Sequence, residues 1–75
     1  MSLESLLKSM IRKRYKDDLH SSMCYFESGR VAYIYANVDK SLSVDIMDEG
    51  IHLNHVSVEE VLNMFEGDKL SDYSM

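Results

Sequence analysis

The chain has no proline and no tryptophan, a single cysteine and only three glycines. Without proline, no turn has its φ preset and there is no Pro-rich recognition tract. The lone Cys24 cannot close an internal disulfide, which points to a reducing compartment, and a cytoplasmic location is expected. No apolar run reaches the roughly 18 residues of a spanning helix, so no membrane role is expected. A secretory leader carries basic residues before its apolar run. Here Leu3, Leu6 and Leu7 come before Arg12, Lys13 and Arg14. Sequence signatures of the common nucleophiles, phosphate loops and metal helices are also missing: there is no G-x-S-x-G, no phosphate-loop pattern and no H-E-x-x-H.

What remains is a chain of 75 residues, enough for one domain with a modest core and little room for a deep cleft. Charge is unevenly placed. Residues 1–16 hold five basic side chains (Lys8, Arg12, Lys13, Arg14, Lys16) and one acid, Glu4, whereas residues 17–75 hold three basic and twelve acidic ones. Such a chain can fold one part against the other or offer each to a different partner.

Residues 2–15 have the pattern of an amphipathic helix. Leu3, Leu6, Leu7, Met10 and Ile11 fall on one stripe, Ser2 is placed to cap the start, and Lys8, Arg12 and Lys16 share the opposite face. Arg14 points into the apolar stripe, so either the helix has frayed there or Arg14 snorkels or finds an acid. Residues 20–27, 30–36, 41–47 and 51–55 read as strands separated by the turns Ser28-Gly29, Asn37–Lys40 and Asp48–Gly50. Ser57-Val58-Glu59-Glu60 is a capping box that opens a second helix, with Gly67 placed to stop it. The expected fold is a single α+β domain over residues 1–67: a helix, an antiparallel meander of three to four strands and a second helix, with both helices on one face of the sheet. Residues 68–75 lack periodicity and are expected to fray.

Few constellations suggest chemistry. His52 and His55, three apart on a strand, should face opposite sides, and His20 and Cys24 should lie about 13 Å apart. Neither pair meets the convergence a metal requires, so no metal, cofactor or catalytic residue is assigned and no enzymatic activity is expected. Two surfaces stand out as candidates for contact. One is the basic helix face of Lys8, Arg12, Lys13 and Lys16. The other is Tyr33 and Tyr35, which lie on the outer sheet face beside Ser43, Asp45 and His52 if Ile34 faces the helices. The opposite assignment puts Val31, Tyr33 and Tyr35 on the core side.

The expected function is a small non-enzymatic protein-binding module, a regulator or inhibitor of another protein. The alternative is a nucleic-acid-binding module using the basic helix face. A homodimer is expected too, either through the tyrosine face or through the strand at 20–27, which has no lysine or proline to guard an exposed edge.

Overall fold

The computed structural model describes residues 2–14 and 20–74. Helix α1 (Leu3–Lys13) is followed by strands β1 (Ser21–Phe26), β2 (Val31–Ala36), β3 (Leu42–Ile46) and β4 (Ile51–Val56), then helix α2 (Val58–Met64) and strand β5 (Leu70–Ser74). All pairings are antiparallel, and the sheet order is β4-β3-β2-β1-β5. The fold is therefore the expected α+β meander with one strand more. That strand, β5, runs through the stretch expected to fray and pairs with β1.

Each helix begins where its cap predicts. The Ser2 and Ser57 hydroxyls accept from the N–H groups of Ser5 and Glu60, both at 3.1 Å. Leu3, Leu6, Leu7 and Met10 of α1 and Val61 of α2, with Phe65 just beyond it, pack on the even-numbered strand residues Cys24, Phe26, Ala32, Ile34, Ala36, Leu42, Val44, Ile46 and Val56. Both helices thus cover the same face of the sheet. Helix α1 has ended by Arg14, whose half-buried side chain donates from Nε to the Ala36 carbonyl at 3.1 Å. The apparent misfit in the apolar stripe is a tie between helix end and sheet.

Two bulges interrupt the alternation. Between β3 and β4 the pairing shifts by one residue after Leu53, and His55 takes φ +57°. Leu53 pairs with Val44, yet on this edge strand it stays 36% exposed. A second shift falls between Tyr25 and Phe26 opposite β5. Strand β1, expected to be an open edge, is flanked on both sides by β2 and β5, so the proposed dimer contact along it is ruled out. The free edges belong to β4 and β5.

At the far end of the core, Phe26 and Phe65 stack with ring centroids 4.2 Å apart. The Arg30 guanidinium lies over Phe65 at 4.7 Å and also donates to Glu49 Oε2 at 2.8 Å and the Met64 carbonyl at 3.2 Å. One side chain joins the end of α2 to the 3-10 turn Met47–Glu49 that precedes β4.

Candidate functional site

Strand β2 alternates without a break: Ala32, Ile34 and Ala36 are buried, and Val31, Tyr33 and Tyr35 are half-buried on the other face. Ile34 faces the helices, so the tyrosines occupy the outer face, which no described element covers. Cross-strand register extends that face. Met23, Tyr33, Asp45 and His52 lie in one row across β1 to β4, and Ser21, Tyr35 and Ser43 lie in the next. Tyr25 pairs with Val31 on one side and Asp72 on the other. The Tyr33 and Tyr35 rings sit 5.7 Å apart at a 45° tilt. Tyr25 is 40% exposed and Met47 80% exposed. A shallow groove of about 270 Å³ lies here, lined by Met23, Val31, Tyr33, Asp45, Met47 and Asp48.

The β3–β4 half of the same face is polar and internally satisfied. Buried Ser43 accepts from Asn37 Nδ2 at 3.1 Å and donates to Asn54 Oδ1 at 3.2 Å. Asp39 accepts from the Ser41 N–H at 3.0 Å and from the Ser41 hydroxyl. His55 Nδ1 lies 3.2 Å from both Asp39 Oδ2 and Ser41 Oγ. These bonds hold the Asp39 carboxyl below the usual carboxylate range. The Ser41 contacts contribute most and His55 less.

Ser41, His55 and Asp39 are the residue types of a hydrolytic triad, but the geometry is wrong for a proton relay. A relay sets the serine and the carboxylate on opposite ring nitrogens, and here both meet Nδ1. The cluster instead locks the β2–β3 turn to the bulge of β4. The bulge falls between the two histidines: His52 lies 3.5 Å from Asp45 of β3 on the outer face, and His55 reaches Ser41, the residue before β3.

The basic surface lies in the other layer. Lys8 is exposed and pairs with Glu4 at 2.9 Å; Arg12 and Lys13 are exposed in the last turn of α1. Lys16 lies outside the described residues. The two sets of candidate residues therefore do not form one site. Cys24 is fully buried, and its thiol donates to Ser22 Oγ at 3.8 Å; burial pushes it above the ordinary thiol range, which fits a packed side chain rather than a nucleophile. Among the described residues, no three His, Cys, Asp or Glu side chains converge as metal ligands, and no helix is long and apolar enough to cross a membrane.

Tyr33 and Tyr35 were recognisable from strand alternation. Met23 and Met47 were not, because they join the patch through cross-strand register and through the 3-10 turn. Compared with family models, curated proteins and solved structures, the chain matches none.

Proposed function

We propose that this chain is a non-enzymatic protein-binding module acting in the cytoplasm as a regulator or inhibitor of another protein, and that it binds through the outer sheet face. The observation that carries the reading is that Met23, Tyr25, Val31, Tyr33, Tyr35 and Met47 lie on a face no described element covers, in a chain whose two helices pack on the other sheet face. Contiguous exposed apolar surface of this kind marks interaction sites, and Tyr and Met are enriched in protein interfaces.

The nucleic-acid alternative has less support. Glu4 already engages Lys8, and Asp45, Asp48 and Asp72 border the aromatic face that could stack bases. A homodimer through the tyrosine face would bring two sets of these carboxylates into one interface, which opposes it.

The test is a photo-crosslinking amino acid placed at Tyr33 in one sample and at Arg12 in another, with crosslinked products from the native host identified by mass spectrometry. The expected result is one protein captured reproducibly from position 33 and lost when Tyr35→Ala is added. Capture only from position 12 would move the binding surface to the helix. Salt-sensitive capture of nucleic acid there would favour the alternative.

A further inference from the structure

We propose that the groove between β1, β2, β3 and the 3-10 turn is a socket for a lysine or arginine side chain presented by an otherwise apolar segment of the partner protein. This rests on the reading of the outer face as a protein-binding surface. The groove, about 270 Å³, falls just below the roughly 300–1,000 Å³ of small-molecule sites and suits one long side chain. Its walls are chemically divided. Met23, Val31 and Met47 offer apolar surface to a methylene stem, Tyr33 offers a ring for a cation–π contact, and Asp45 and Asp48 supply carboxylates.

Among the described strands, only His52 competes for that position. None of the five strands contains a lysine or arginine, and Asp45 meets only His52, at 3.5 Å. Arg30, the cation adjoining Val31 in sequence, is turned to the opposite face, where Glu49, Met64 and Phe65 hold it. The charge on the groove is thus complementary to a cationic partner. A second copy is a poorer occupant. Set face to face, it would bring its own Asp45 and Asp48 against the same carboxylates, while its exposed Lys8, Arg12 and Lys13 lie in the helical layer behind the sheet.

The probe is a phage-displayed library of random linear peptides selected on the folded wild-type protein. Enriched peptides are then measured against Asp45→Asn/Asp48→Asn and Tyr33→Ala variants whose amide NMR spectra confirm the fold. Enriched sequences should carry Lys or Arg beside apolar residues. Their affinity should fall about tenfold or more in the double Asp variant and also drop in Tyr33→Ala. Peptides that need Tyr33 but lack Lys and Arg, or that ignore the Asp substitutions, would overturn the socket and leave the binding face standing. Peptides indifferent to Tyr33→Ala would overturn both. Failure to enrich any peptide, or concentration-dependent growth of the wild type in sedimentation that the Asp substitutions abolish, would also overturn the socket.

Discussion

The two faces of β2 carry comparable apolar character and meet different fates. Ala32, Ile34 and Ala36 are 0% exposed beneath the helices, whereas Val31, Tyr33 and Tyr35 stay half-buried against their neighbours in the sheet. The difference is one of supply. Helices of eleven and seven residues can cover one side of a five-stranded sheet, and no described segment remains for the other. The inner face is held by close packing of many side chains, so its stability is shared across the whole core. The outer face is held by local pairs and short hydrogen bonds, so its residues are open to selection for contact.

The sharpest way to break this contrast is to truncate one side chain on each face to alanine. Ile34→Ala is expected to cost about 2–5 kcal/mol by leaving a cavity under both helices, a large share of what a domain of this size has. Tyr33→Ala is expected to cost about 1 kcal/mol or less, the scale of a cross-strand pair. Urea unfolding of the two variants measures both. Comparable losses would mean that the outer face is structural and not reserved for a partner.

Arg30 closes one end of the core on the inner side of the sheet. Arg30→Ala is expected to cost about 2 kcal/mol, because it removes the cover over Phe65, the charged bond to Glu49 and the bond to the Met64 carbonyl together. Arg30→Lys should recover little of this, since an ammonium cannot fork between two acceptors while lying over a ring. Ser57→Ala, which strips the cap from α2, is expected to cost about 1 kcal/mol in the same assay. A larger loss there would show that α2 contributes more to covering the inner face than its seven residues suggest.

Local chemistry made most of the fold legible. The stripe Leu3–Met10, the caps at Ser2 and Ser57, the alternation in β2 and β3 and the turn glycines each act over a few residues. The misread elements share one cause. Leu70 and Tyr73 both pack against the core although they are three apart, a spacing that hides a strand of period two and that fits the irregular pairing with β1. His55 is likewise shifted by the bulge of β4. A bulge depends on the partner strand, so a single segment does not reveal it. The same holds for the candidate site: that Tyr33 and Tyr35 share a face follows from their own strand, but which face depends on the helices that cover Ile34, and the groove needs the register that brings Met23, Asp45 and Met47 beside them.

The smallest effect should appear at the polar edge of the outer face, and it should depend on pH. Asp39 is exposed, and its carboxyl is held below the ordinary range chiefly by the Ser41 hydroxyl and N–H, with His55 adding to it. A group whose pKa is depressed by folding contributes stability above its unfolded pKa and loses it as pH falls through the folded value. Acid below the ordinary carboxylate range should therefore release Ser41 and withdraw the contact that steadies His55 at φ +57°. Global unfolding should barely respond, because the site is solvated and lies outside the core. Amide hydrogen exchange followed through the carboxylate titration should show Ser41 losing protection while Ile34 keeps its own. Asp39→Asn retains one acceptor oxygen but does not titrate, so it should remove the pH dependence while leaving part of the Ser41 protection. If Ser41 and Ile34 instead lose protection together, the turn and the core unfold as one unit, and the separation between the two faces fails at this edge.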